Sequence, residues 1–157
     1  RDSSTSRGLG DVYKRQIDYN IVADHFGKKT ESLITVNGAL TDSAKKVFRG
    51  TIDFKKGSAD SVGSENETVL MLGDDVVNKT VPLILCAEEN VEGTHGATIG
   101  ELDADTMFYF ESRGIDRETA EKIMAYAAVE RLIHMAEDSE FAAEVEKDMG
   151  IKTDTEE

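Results

Sequence analysis

The sequence predicts a β-rich segment followed by a small helical subdomain, and two observations support this division. Before residue 101, short apolar stretches alternate with polar turns, and one of them places Phe48, Ile52 and Phe54 at even spacing on one side of a strand. After residue 101, apolar residues recur every three or four positions, as on one face of a helix. We therefore expect a β segment over residues 17–101, a helical subdomain over 102–150 and an acidic tail over 151–157.

Further strands are predicted where β-branched or aliphatic runs end at turn-forming residues. The candidates are residues 33–36 before Asn37-Gly38, 68–72 before Gly73, 81–86, and 97–99. Strands that recur every 10–20 residues or so are found in sandwiches, barrels and solenoids. The period by itself leaves these three architectures open.

Three helices are predicted from capping and stop signals. Asp103 can cap the first helix, which ends at Arg113-Gly114, and Asp116 can cap the second. Ser139 can open the third helix, which stops at Gly150.

The second and third helices each carry apolar residues at helical spacing, which we expect to belong to the core. These residues are Ala120, Ile123, Met124, Ala127, Ala128 and Leu132 in the second helix and Phe141, Ala142 and Val145 in the third.

Composition excludes several classes of function. The chain has 157 residues, which suits one domain or a fragment, and a formal net charge of −14, which disfavours non-specific binding to nucleic acid or to an anionic membrane. No apolar run approaches the roughly 20 residues that span a bilayer. The single cysteine, Cys86, excludes an internal disulfide framework and suits a reducing cytoplasm.

Residues 1–16 differ from the rest of the chain. They are rich in Ser, Arg and Gly, and residues 11–16 resemble the translation of a transposon-end adapter used in DNA sequencing libraries. We expect residues 1–16 to be a disordered, non-native segment. The native sequence would then begin near Ile17, inside a domain.

Two stretches carry a more specific signal. In residues 82–100 an apolar strand and an acidic stretch lead to His95, which is followed by Gly-Ala-Thr, and residues 107–115 read Met-Phe-Tyr-Phe-Glu-Ser-Arg-Gly-Ile. In this order and spacing they resemble the C-terminal part of the SufB/SufD family, which assembles iron–sulfur clusters, and residues 48–52 add weaker support. The resemblance is closer to SufD, and it covers nearly everything after Ile17.

This resemblance implies a right-handed parallel β-helix, or β-solenoid, truncated at its N-terminal side and followed by a helical subdomain. It implies a non-catalytic scaffold subunit that pairs with a SufB-like subunit or with a second copy of this chain. The C-terminal helices would bind a SufC-type ATPase, and a cysteine desulfurase would act indirectly. A nascent iron–sulfur cluster would form only at the subunit interface, and none would bind stably to this chain alone.

The resemblance also implies that His95 is an iron ligand at that interface, a role that a neutral imidazole can fill. The alternative is a histidine in a turn that only hydrogen-bonds to the backbone. Gly93 and Gly96 leave space beside His95, but SufD sequences can carry a cysteine at the first position and SufB carries an acidic residue at the second. The chain also has no second cysteine to anchor a cluster, as SufB would.

The remaining candidates are weaker. We expect Cys86 to be a buried, inert thiol, with a role in sulfur transfer or metal binding as the alternative, because it lies about one β-helix rung from His95. His25 and His134 are expected to be structural or solvated. The pairs Asp74-Asp75 and Glu88-Glu89 leave open a β-helix enzyme that cleaves polysaccharides, and a homodimeric interaction module without metal is a third hypothesis.

Overall fold

The computed structural model describes residues 16–135 and 138–148. The expectations for residues 1–15, the His134 side chain, the stop at Gly150 and the tail over 151–157 lie outside this part of the chain.

Within residues 16–135 and 138–148, six strands are followed by three helices, which confirms the predicted order of strands and then helices. The elements are β1 (Gln16–His25), β2 (Glu31–Thr41), β3 (Lys45–Phe54), β4 (Ser61–Leu72), β5 (Val77–Cys86), β6 (Val91–Glu101), α1 (Ala104–Ser112), α2 (Arg117–Met135) and α3 (Ser139–Asp148). Gln16, assigned to the disordered segment, instead begins β1.

The strands form two parallel sheets between which the chain alternates. One sheet has the order β1-β3-β5 and the other β2-β4-β6, so each strand pairs with the strand two places earlier. Along the chain the strands therefore come as three pairs: β1 with β2, β3 with β4, and β5 with β6. We call the last of these the third strand pair; it forms one edge of each sheet, and β1 with β2 forms the other.

The two sheets face each other through side chains that alternate along each strand. A Cβ on Gly50 would meet the Glu65 carboxylate, and a Cβ on Gly63 would meet Ile52. Lys46 reaches Glu67 across the same space. Residue numbers thus rise along β3 as they fall along β4, so the facing strands run in opposite directions.

The interior contains two apolar clusters, one toward each end of the strands. Phe48, Ile52 and Phe54 on β3 are fully buried and pack with Ile34 on β2. A second cluster is formed by Leu40, Val69 and Val76. Burying these side chains, at about 25 cal/mol per Å² of apolar surface, supplies the main force that holds the two sheets together.

Several predicted strands are longer than their apolar runs indicated. Asn37 and Gly38, predicted as a turn, lie inside β2 and pair with Thr68 and Val69. Gly38 has no positive φ, which the expected turn would favour. The polar stretch of β4 from Ser61 to Glu67 and the first residues of β6 were also missed, because the ladder of a neighbouring strand stabilises sequences of low strand propensity.

The three helices start where the sequence signals predicted. Asp103 accepts a hydrogen bond from the Thr106 N–H at 2.7 Å, and Asp116 accepts one from the Thr119 N–H at 2.8 Å. The third helix begins at Ser139, as predicted, and the Asp138 carboxylate before it accepts hydrogen bonds from the N–H groups of residues 140 and 141. Gly114 has a φ of +79°, as expected for the residue after the first helix.

The apolar stripe predicted on α2 is only partly core. Ala120 is buried, but Ile123 is 43% exposed, and the residues buried instead include Ala125 and Ile133. Because α2 packs against both β2 and β4, the buried face is set by the sheet and not by the stripe alone. On α3 the residues expected to face inward are half-buried: Phe141, Ala142 and Val145.

Candidate functional site

His95 lies near the middle of β6, in a strand and not in a turn, and it is exposed. It pairs in register with Glu65 of β4, whose side chain points into the space between the sheets. Residues that pair in a parallel ladder project to the same face, so His95 stands on the inward-facing side of the third strand pair. It remains exposed because no further strand among the described residues covers that pair.

The third strand pair is exposed on both of its faces. Every residue of β6 from Glu92 to Ile99 is exposed. On the outer face of β5, Val81, Leu83 and Leu85 are 51%, 46% and 43% exposed. An edge strand with unpaired backbone groups and exposed aliphatic side chains favours association with another chain.

Glu65 lies beneath His95 and is 3% exposed. Its carboxylate rests against Gly50 on the facing strand, at a position where any side chain would overlap it. Burial raises the pKa of Glu65, the His95 charge opposes this shift, and the neighbouring Glu67 adds to it. The sequence reasoning missed Glu65, although the period-two pattern Gly63, Glu65, Glu67, Val69 was a signal that these positions face one side.

Glu67, two residues further along β4, has a different environment. It forms an ion pair with Lys46 and accepts a hydrogen bond from the Thr80 hydroxyl. Lys46 also donates to the Asn78 side-chain oxygen at 3.1 Å, while the Asn78 amide nitrogen is buried without a hydrogen-bond partner in the described structure. The interior around Glu67 is therefore polar, and the charges of Lys46 and Glu67 are paired there.

Cys86 is exposed, so the expectation of a buried thiol is wrong. It ends β5 in register with Phe54, and no described strand stacks on it. Cys86 and His95 also lie on the same strand pair and not a rung apart. Ile84 on β5 faces Gly93 on β6, and the two strands run in opposite directions. Cys86 comes two residues after Ile84 and His95 two residues after Gly93. Cys86 and His95 are therefore separated along the strands by about four residues, or roughly 13 Å.

The two glycines near His95 have different surroundings. A Cβ on Gly93 would lie 2.9 Å from Ile84 Cγ2 and 3.1 Å from Phe54 Cε2, so this glycine allows close packing of the two sheets. Gly96 is on the opposite face, where a Cβ would approach only the Asn66 side chain at 3.4 Å. Any side chain at position 93 would therefore require Ile84 or Phe54 to shift.

The other candidates are not part of this site. His25 is 3% exposed, hydrogen-bonds to Thr30 at 2.6 Å and Ser32 at 2.8 Å, and packs on Phe54, so it is structural as expected.

The acidic pairs do not meet. Asp74-Asp75 follows the end of β4, whereas Glu88-Glu89 lies before β6 at the end where β4 begins. The pairs are separated by the length of a twelve-residue strand, on the order of 35 Å, and glycosidase carboxylates stand within about 10 Å of each other. Glu88 instead accepts a hydrogen bond from the Gly57 N–H, which lowers the pKa of its carboxyl group.

Comparison with known proteins identifies the family. Residues 10–128 match the family described as "SUF system FeS cluster assembly, SufBD core domain". The chain belongs to the SufB/SufD family. The match includes every strand and most of α2, so the SufB/SufD assignment covers the site around His95.

Curated SufB/SufD relatives agree with this assignment. The chain is 33% identical over 102 residues to the iron–sulfur cluster assembly protein SufD of Bacillus subtilis (strain 168), covering 65% of this chain and 23% of that protein. It is 28% identical over 138 residues to the chloroplastic SufBD family protein ABCI8 of Arabidopsis thaliana, covering 88% and 25%. It is 28% identical over 99 residues to SufD of Escherichia coli (strain K12), covering 63% and 23%. This SufB/SufD chain thus spans about a quarter of the length of these relatives.

Two features are absent from the described part of this SufB/SufD chain. Within residues 16–135 and 138–148, no group of three or more His, Cys, Asp or Glu side chains could hold a metal ion. In the same residues no helix has the length and apolar character needed to cross a membrane.

Proposed function

We propose that this chain is part of a non-catalytic scaffold subunit of SUF iron–sulfur cluster assembly, with a SufD-like role. The family assignment supports the process, and the exposure of His95 on an edge strand supports the role. This exposure is the single observation on which the role depends, since a buried imidazole would be inaccessible to a partner subunit.

The three strand pairs are proposed to be successive rungs of a right-handed parallel β-helix. The parallel registers pair residues about 30 positions apart in both sheets, for example Glu65 with His95 and Phe48 with Thr80. A regular advance of one strand per sheet on each passage of the chain is typical of a solenoid.

A SufB-like subunit is the proposed partner of the third strand pair. No further strand of the described part of the chain pairs with β5 or β6 on this side, and the outer face of β5 carries exposed aliphatic side chains. A second copy of this chain is the alternative occupant. The helical subdomain would contact a SufC-type ATPase, and Phe108 and Tyr109, 72% and 54% exposed on α1, support an interaction there.

His95 is proposed to bind iron of the nascent cluster, which is the cargo of the assembly. An imidazole is a suitable ligand for iron, but a cluster also needs thiolates or further donors. In this chain Cys86 is roughly 13 Å along the strands from the level of His95. The partner would therefore supply the remaining ligands, with sulfur delivered by way of a cysteine desulfurase.

The test is coexpression with a SufB-like subunit and a SufC-type ATPase from the same source. The three chains should copurify, and anaerobic reconstitution should give the visible absorption of a cluster. His95→Ala should leave the complex intact and reduce cluster formation. Glu92→Ala, an exposed outward-facing change on the same strand, should not. Unchanged cluster formation in His95→Ala would exclude the proposed role of His95.

The same purification distinguishes a heterodimer from a homodimer. A complex containing two copies of this chain and no SufB-like subunit would favour the second copy as the partner. The predicted cytoplasmic location remains a prediction, since a relative such as ABCI8 is chloroplastic.

A further inference from the structure

Glu65 is the buried acidic side chain closest in register to His95. The two residues are directly paired on β4 and β6, and neighbouring strands lie about 4.8 Å apart. Both side chains project to the same inward face, and the charge of His95 acts on the Glu65 carboxylate. Two ligand atoms that are each about 2 Å from one metal ion lie at most about 4 Å apart, so the two side chains would have to converge slightly from the spacing of their strands to share an ion.

The surroundings of Glu65, among the described residues, provide no lysine or arginine to balance its charge. It is 3% exposed, yet within the described ranges it accepts no hydrogen bond and contacts no lysine or arginine. Its charged neighbours there are His95 and Glu67. A carboxylate with little exposure and no basic neighbour would be stabilised by a cation bound at this edge.

Glu67 shows that this interior can neutralise a carboxylate. It lies on the same strand and the same face as Glu65, is similarly buried at 2% exposure, and is paired with Lys46 and Thr80. Glu65 instead faces Gly50, which supplies no side chain and leaves space for the carboxylate group. The two residues therefore differ in partners and not in burial.

We propose that Glu65 and His95 together form a nitrogen–oxygen half-site for a ferrous ion at the open edge of the two sheets, which a partner subunit completes. The inference rests on the proposed function, because it takes His95 as an iron ligand and adds a second ligand from the same chain. A carboxylate with imidazole is a donor set that suits non-haem Fe(II). The half-site would hold the ion before sulfur arrives.

Binding of Fe(II) by the chain itself tests the half-site. Under anaerobic conditions, affinity is measured by competition with a chromophoric ferrous chelator for the unsubstituted chain, Glu65→Gln, His95→Ala and Glu92→Gln. Glu65→Gln and His95→Ala should each weaken binding by at least about ten-fold. Glu92→Gln removes the same charge from the outward face of β6 and should leave affinity unchanged.

Folding is checked in parallel by far-UV circular dichroism. Gln is isosteric with Glu and removes a buried charge, so Glu65→Gln should keep the fold. If Glu65→Gln does not fold, Glu65→His takes its place, because histidine is also a metal ligand. Glu65→His must then bind Fe(II) for the proposal to stand.

The possible results distinguish a failure of the half-site from a failure of the proposed function. If His95→Ala weakens Fe(II) binding and Glu65→Gln does not, the half-site is overturned while His95 keeps its proposed role. If Glu65→Gln alone weakens binding, the two-ligand site is likewise overturned. If neither change has an effect and His95→Ala also assembles clusters normally with its partners, both proposals fail.

Discussion

Lys46 and Glu67 form an ion pair between the facing strands β3 and β4, where their side chains are 6% and 1% exposed. Thr80 donates to the same carboxylate, and Asn78 accepts from the same ammonium group. A charged pair in this position contributes little net stability compared with an apolar pair, but each charge depends on the other.

Loss of one member of this pair should therefore be costly. Lys46→Met should lower the free energy of unfolding by about 3–5 kcal/mol, because Glu67 is left buried with only a hydroxyl partner. The double change Lys46→Met with Glu67→Leu should recover most of that loss. Urea unfolding of the three proteins measures both effects. Equal stability of Lys46→Met and the unsubstituted chain would contradict the buried pair.

Glu65 should make stability fall as the pH rises. Burial raises its pKa in the folded chain above the ordinary value of 4.5, so the folded state holds this proton more tightly than the unfolded state. The resulting stabilisation is fully present below the ordinary value and is lost as the pH rises through the raised value. Glu65→Gln should match the unsubstituted chain in acid and be more stable at neutral pH.

Urea unfolding between pH 4 and pH 8 gives this comparison, with Glu92→Gln as the exposed control. A Glu65→Gln protein that is less stable than the unsubstituted chain at neutral pH would show that the carboxylate has a stabilising partner.

The two capping aspartates should have the opposite pH dependence. The hydrogen bond from the Thr106 N–H lowers the pKa of Asp103, and the one from the Thr119 N–H lowers that of Asp116. Their stabilisation is present above the ordinary aspartate pKa of 3.8 and is lost as the pH falls through the lowered values. Helical circular dichroism should therefore decrease in acid.

Asparagine and alanine at these positions separate charge from capping. Asp103→Asn keeps an acceptor for the Thr106 N–H, so it should retain the helix and reduce the pH dependence. Asp103→Ala should lower helicity at neutral pH as well. If both substitutions behave alike, the hydrogen bond at Thr106 does not stabilise α1.

Gly93 should tolerate a side chain poorly. Gly93→Ala places a Cβ 2.9 Å from Ile84 Cγ2 and should cost about 1–3 kcal/mol through overpacking. Gly100→Ala, on the same strand with nothing within 4 Å of its Cβ, is the matched control and should be neutral or slightly stabilising. Urea unfolding of Gly93→Ala and Gly100→Ala gives the two free energies of unfolding to be compared. Equal values would contradict the close packing at Gly93.

Prediction from sequence was accurate where the signal is local. The alternation in β3 identified the buried Phe48, Ile52 and Phe54, and Asp103 and Asp116 were correctly placed as helix caps. A period of two and a capping carboxylate depend only on neighbours within a few residues. Strand β4 was recognised only from Thr68 onward, because its first half is polar and is stabilised by strands about 30 residues away.

The amino-acid sequence alone determined the division into strands and helices and the positions of two helix caps. Through the family resemblance it also indicated His95 as a candidate iron ligand. Only the tertiary structure decided that Cys86 is exposed and that Glu65 stands beneath His95. The physical reason is that side-chain direction within a strand is local, whereas the register of parallel strands is set by packing between residues distant in sequence. That register brings the carboxylate and the imidazole together.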